Sequence, residues 1–192
     1  MILNTFGIFK NSVQQIPKEV LKLEFASDSN LPSGLTSLGY LPDWNVIFKS
    51  DFTQIHVVEF TVYLWGNSST VEFPENILKG SNIISVRDSG IGVVVLGVSS
   101  LSICPDLQYV SFPWVTNIKD YAFAGCYLLN RVNIPSCEYL GTSTENDNVF
   151  IDIIGNDIDL TIPSALMTCH DGEPDKDIDY LTSNNTVTIT TI

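Results

Sequence analysis

Positive charge is scarce in this chain. Nine Lys and Arg stand against 22 Asp and Glu, a net charge of −13. Such a surface repels nucleic-acid phosphates and anionic membranes, which argues against both as partners. Long apolar runs are missing too. No stretch reaches the roughly 18 uninterrupted apolar residues of a membrane span. The start, Met1-Ile-Leu-Asn-Thr-Phe-Gly7, has neither a basic flank nor a long apolar run, so no secretory signal is expected. Both ends of the chain are expected to be tied down inside an assembly, since a free tail frays. Charged residues make up only 16%, too little for a disordered chain, and 44% hydrophobic residues suffice for a continuous core.

Residues suited to chemistry are equally sparse. The four cysteines, Cys104, Cys126, Cys137 and Cys169, include no C-x-x-C pair. Reduced thiols are expected and a closed zinc site is not. The histidines are His56 and His170. His56 lies in an apolar strand pattern and reads as structural. Cys169 and His170 are sequence neighbours whose side chains diverge, so neither a metal pair nor a nucleophile with its base is expected. No Gly-rich phosphate loop is present. Asp171-Gly-Glu-Pro-Asp175-Lys-Asp177-Ile-Asp179 could offer oxygen ligands to calcium, but its order does not match an EF-hand loop. It reads as a solvated loop entering a helix. Asp152 with Asp157 and Asp159 could form a carboxylate pair for glycoside hydrolysis. Alternate Asp residues on a repeat strand more simply face solvent. No catalytic residue, metal ligand or cofactor is therefore expected.

What the chain does contain is a repeat. Cys104-Pro-Asp-Leu107-Gln-Tyr-Val110-Ser-Phe112-Pro113 aligns with Cys126-Tyr-Leu-Leu129-Asn-Arg-Val132-Asn-Ile134-Pro135 at an offset of 22 residues, and Ile118 falls on Leu140 in the same register. Leu160-Thr-Ile162-Pro163 repeats the ending 28 residues after Pro135, so the connection carries six extra residues, expected within 141–148. Upstream, Val71-Glu-Phe73-Pro74 has the same signature. Asn82-Ile-Ile-Ser-Val86 and Gly92-Val-Val-Val-Leu96 fit two irregular units between them.

Each unit supplies one short strand whose alternate residues point inward. Val110, Phe112, Val132, Ile134, Leu160 and Ile162 are those inward residues. One unit cannot bury them alone. Stacking units at about 4.8 Å builds a parallel sheet over a continuous core. The Pro after each strand has no N–H to give, so the ladder stops there. Cys104 and Cys126 then stack as neighbours within disulfide range, and buried free thiols are expected. The outward face carries Glu72, Tyr109, Ser111, Arg131, Asn133, Asp159 and Thr161, a mixed polar and aromatic set suited either to recognition or to plain solvation.

The stretch Ile118-Lys-Asp-Tyr-Ala122-Phe123-Ala-Gly125-Cys126-Tyr-Leu-Leu129-Asn-Arg-Val132-Asn-Ile134-Pro135 resembles the BspA-like leucine-rich repeat. The resemblance is strong over 100–141, partial over 142–163 and weak before 100. It implies a right-handed leucine-rich-repeat solenoid, β-rich with few short helices, used for adhesion and protein recognition without catalysis. Leu160 through Met167, Asp177 through Leu181 and Asn184 through Ile189 are similar to the ends of repeat proteins encoded by bacteriophages and prophages.

Solenoids need caps at both ends. At the C-terminal end, 174–183 reads as a short helix with Pro174 in its first turn and Asp175 and Asp177 at its positive start. Thr186 to Thr190 alternates as a final strand, ending at a closed sheet edge or a partner contact. Val20 to Phe25 and Phe52 to Leu64 are strand-like, and residues 1–70 are expected to be degenerate repeats merging into a β cap. With repeats over 71–163 and a C-terminal cap over 164–192, one domain spans 1–192. The expected role is a structural or receptor-binding part of a phage virion, tail- or fibre-associated, assembled in the bacterial cytoplasm. Its partners would be other virion proteins, a host receptor or further copies of itself. The alternative is a bacterial adhesin or interaction module outside any virion.

Overall fold

A computed structural model describes residues 18, 20–26, 52–58, 61–66, 71–141, 148–169, 172 and 174–192. The described strands are β1 (Leu21–Phe25), β2 (Phe52–Val58), β3 (Thr61–Gly66), β4 (Val71–Phe73), β5 (Ile83–Asp88) and β6 (Val93–Leu96). They continue with β7 (Tyr109–Ser111), β8 (Asn117–Ile118), β9 (Arg131–Asn133), β10 (Tyr139–Leu140), β11 (Asp157–Ile162) and β12 (Thr186–Thr191). A 3-10 turn at Ser164–Met167 and the helix α1 (Lys176–Asn184) precede β12.

These strands form a β-solenoid of about four turns. The larger sheet has the order β12-β11-β9-β7-β5-β1-β3-β2, and the smaller one β10-β8-β6-β4. One coil lays a strand in the larger sheet, turns a corner and lays a shorter strand in the smaller sheet. It returns along a third side made of turns. From β5 to β12 the larger sheet is parallel, and so is the whole smaller sheet.

The inward residues behave as the repeat requires. Val110 pairs with Val132 and Val132 with Leu160. Val110, Phe112, Val132, Ile134, Leu160 and Ile162 are all 1% exposed or less. Phe112 N–H donates to Asn133 O at 2.9 Å and Ile134 N–H to Thr161 O at 2.9 Å, after which Pro113 and Pro135 stop the ladder. Ile118 pairs with Leu140 in the smaller sheet, as the offset predicts. Phe73 of the smaller sheet and Phe112 meet edge to face, ring centroids 5.5 Å apart, so an aromatic pair joins the two walls.

The third side is hydrogen-bonded between coils as regularly as the sheets. Asn76, Leu78 and Gly80 donate N–H to Val98, Ser100 and Ser102 carbonyls. Ser99, Leu101 and Ile103 donate to Asp120, Ala122 and Ala124, and Phe123 and Gly125 to Val149 and Ile151. At the corner before it, Gly97 N–H donates to Phe73 O at 2.7 Å. A Cβ there would lie 2.6 Å from that oxygen, so only glycine permits the approach.

Several expectations are corrected. Val71–Phe73 does not stand in the strand row of Val110 and Val132, because β4 lies in the smaller sheet. β5 and β6 are the two walls of one coil rather than two units. Within 1–70, β1 runs antiparallel to both β3 and β5, and β2 antiparallel to β3. Those strands are not coils of the parallel array, because a degenerate repeat would run parallel to β5. Much of 1–70, and residues 142–147, lie outside the described residues. The six extra residues of the third unit divide. The strand offset between coils rises from 22 at Ile118 and Leu140 to 28 at Arg131 and Asp159. On the third side the N–H to O offset rises from 21 at Leu101 and Ala122 to 26 at Phe123 and Val149, so five are accommodated before Val149 and one more before β11.

After β11 the helix takes the place of the third side. Asp175, not Pro174, starts it: its side chain accepts from Asp177 N–H, and Pro174 stands one residue outside. Ile178 and Leu181 are fully buried. Helix groups then satisfy the preceding coil. Asp177 accepts from Val149 N–H, Tyr180 OH from Asp152 N–H at 3.1 Å, and Asn185 Oδ1 from Asn156 N–H at 3.0 Å. Asp177 is only 5% exposed, contrary to its reading as part of a solvated loop. Burial pushes its carboxyl up to about 7, the Asp175 and Asp120 charges act in the same direction, and the Val149 N–H pulls back.

Two outcomes are expected. Phe112→Ala removes the aromatic bridge between the walls and should cost about 3–5 kcal/mol in denaturant unfolding. A loss under about 1 kcal/mol would contradict the shared core. Asp177 has a folded pKa above its unfolded value, so the folded chain holds a proton that the unfolded chain releases. Its contribution is therefore full below about pH 4 and declines as pH rises toward about 7, by on the order of 4 kcal/mol. Asp177→Asn keeps an oxygen for Val149 and removes the titration. The unfolding free energy of the variant, followed against pH, should show a shallower decline through this window than the parent; equal slopes would refute the assignment.

Candidate recognition surface

Strand alternation turns every second side chain of the larger sheet outward, and the parallel register lines them up. One row reads Glu24, Ser85, Tyr109, Arg131, Asp159 and Thr188. The next reads Lys22, Arg87, Ser111, Asn133, Thr161 and Thr190. Six of the seven residues expected on this face therefore do come together: Tyr109, Ser111, Arg131, Asn133, Asp159 and Thr161. Glu72 does not. It belongs to the smaller sheet, in register with Val95, Asn117 and Tyr139. The Pro-terminated signature of Val71–Phe73 misled here, because both walls of a coil turn a corner after an apolar residue.

Tyr109 is the centre of the surface. The Arg87 guanidinium lies 4.5 Å from its ring centroid and that of Arg131 5.8 Å. Both cations sit on the negative face of one ring. Arg131 also reaches Asp159, Nη2 to Oδ2 at 3.4 Å, with both side chains about 60% exposed. Such an exposed pair adds little stability and leaves both charges available to a ligand. Asn133 Nδ2 donates to Ser111 Oγ at 2.9 Å, and Ser111 is buried beneath its neighbours. At the far end, Ser85 OH donates to Glu24, which also pairs with Lys22. Burial alone would raise the Glu24 carboxyl, but Lys22, Ser85 and Arg87 together hold it below its usual value. An open hollow beside Arg131 is lined by Asn130, Asp157, Asp159, Thr186 and Thr188. Arg87 and Ser85 were missed in the sequence because their coil is offset by 24 residues rather than 22. Thr186 and Thr188 were read only as an end strand.

The residues considered for chemistry are dispersed. Asp157 and Asp159 share the exposed face of β11, while Asp152 sits in the preceding turn at φ 64°. Of the acidic cluster, Asp175 caps α1, Asp177 is buried and Asp179 is exposed; Asp171 and Glu173 lie outside the described residues. Among the described residues no group of three His, Cys, Asp or Glu could hold a metal ion. His170 lies outside the described residues, and His56 falls on β2. Among the described residues, no helix is long and apolar enough to cross a membrane.

All four cysteines are free thiols. Cys104 donates to Leu78 O and Cys126 to Leu101 O, each at 3.1 Å, so each thiol satisfies a carbonyl of the coil before it. Burial pushes the Cys126 thiol well up, and that of Cys137 to about 12. Cys169 is exposed, but partial desolvation and the Asp175 charge raise it as well. A thiol so placed is not an activated nucleophile. Titration with a chromogenic disulfide should find one accessible thiol in the native chain and three more after unfolding. Fast native reaction of Cys104 or Cys126 would contradict the closed core.

No known protein family model matches this chain, and neither a curated protein nor a solved structure is found similar to it.

Proposed function

We propose that this chain is a non-catalytic recognition solenoid of the BspA-like leucine-rich-repeat kind, its core capped at both ends, that serves as a structural or receptor-binding component of a phage virion. The observation that carries the recognition reading is the Arg87–Tyr109–Arg131–Asp159 arrangement, an aromatic ring flanked by available charges on a parallel sheet. Aromatic and Arg side chains form the usual energetic centres of protein interfaces, and the Tyr109 ring has little rotamer entropy to lose on binding. The repeat 104–135 supports the family reading. The phage-like stretch from Leu160 to Ile189 supports the virion reading and, with it, assembly in a bacterial cytoplasm. The antiparallel strands β1–β3 at one side and α1 at the other are suited to serve as caps over the core. A bacterial adhesin outside any virion would use the same surface.

Mass spectrometry of purified virions tests the assignment. The chain should be found in particles at a fixed ratio to a tail protein; its absence overturns the virion reading and leaves the adhesin. Tyr109→Ala in the same particles should weaken adsorption to host cells at least about tenfold if the surface binds a receptor. Unchanged adsorption would leave a structural role within the particle.

A further inference from the structure

Among the described residues, β12 has a neighbour on only one side. It pairs with β11 from Asp157 and Thr186 to Ile162 and Thr191, without a bulge, and is the outermost strand of the larger sheet among the described residues. Thr186 N–H donates to Asn156 O at 2.9 Å and Ile192 N–H to Ile162 O at 3.2 Å. Backbone groups alternate sides along a strand, so the N–H and C=O of Val187, Ile189 and Thr191 point away from β11. An open edge of this kind is a template for another strand. Proteins usually blunt such edges with Lys, Pro or a bulge. Thr186-Val-Thr-Ile-Thr-Thr191 has no charged residue, no Pro and no Gly.

We infer that β12 is a self-association edge, through which two copies of this chain join antiparallel and continue the larger sheet across a two-fold axis. This goes beyond the recognition surface and does not depend on it. Charge permits a second copy as the occupant: two chains of net charge −13 repel elsewhere, but β12 is an uncharged strip. The self-complementary register selects it and sets the geometry. Placing Ile189 of one copy opposite Ile189 of the other sets Val187 opposite Thr191 and Thr188 opposite Thr190. The outward-pointing N–H and C=O groups then face each other as hydrogen-bonded pairs. The same register keeps the two faces of the sheet distinct. Ile189, half-buried against the core, meets Ile189 of the other copy, and Val187, also half-buried, has that same Ile189 as its diagonal neighbour. Thr188 and Thr190 meet on the outer face, where Thr pairs are favourable. The contact is isologous, so at this edge it closes at two copies.

Sedimentation of the full chain across the micromolar range tests this. A monomer–dimer equilibrium is expected. Thr188→Lys/Thr190→Lys sets like charges opposite each other twice, on exposed side chains that the fold does not need. It should weaken dimerisation at least about tenfold. Thr188→Glu/Thr190→Glu should do the same, and an equimolar mixture of the two variants should recover the dimer. A wild-type chain that stays monomeric, a lysine variant that dimerises like wild type, or a folded mixture that stays monomeric would each overturn the proposal. Hydrogen exchange of the unaltered chain gives a readout independent of the variants. The Ile189 amide should gain protection as concentration rises, and protection independent of concentration would overturn the inference.

Discussion

No single coil of this chain can bury its own apolar residues. Val132 lies on a three-residue strand and Ile134 just after it, a segment far too short to hold a fold by itself. They leave water only because β7 and β11 lie on either side. Each coil therefore depends on its neighbours, and the core is continuous from Leu21 to Leu181. The same dependence makes the backbone bond between coils on all three sides, since a buried N–H without a partner is costly.

That constraint also fixes the surface. Once Val110, Val132 and Leu160 must stack inward, Tyr109, Arg131 and Asp159 have no choice but to stack outward. The cation–aromatic cluster and the ion pair are by-products of the register that fills the core. A slip of one residue in β9 would bury Arg131 and expose Val132. The placement of these side chains on the sheet face is thus set by the packing beneath them.

The ends are held by different physics from the middle. On one side β1 pairs antiparallel with β5 and buries Leu21, Leu23 and Phe25. On the other, α1 lends side chains to the backbone that the next coil would have satisfied. Asp177 is the clearest case: a carboxylate taken into the interior to meet the Val149 N–H, with its proton affinity raised as a result. Its sequence context, between Lys176 and Asp179, reads as solvent-facing. Burial is set by what packs over a residue, and sequence neighbours do not report that.

By itself the sequence determined the coils from Cys104 to Pro163. Their 22- and 28-residue spacings, the alternation around Val110, Val132 and Leu160, and the prolines after each strand set inward residues, outward residues and strand ends, because all three are local or periodic properties. It also determined the capped helix and final strand after Asp175. Tertiary structure alone decided which wall a strand joins, since Val71–Phe73 and Leu160–Ile162 look alike and only pairing partners separate the sheets. It decided that β1 turns antiparallel, that Arg87 joins Tyr109 despite an irregular offset, and that Asp177 is buried. Each of these depends on contacts between distant residues, which no local pattern encodes.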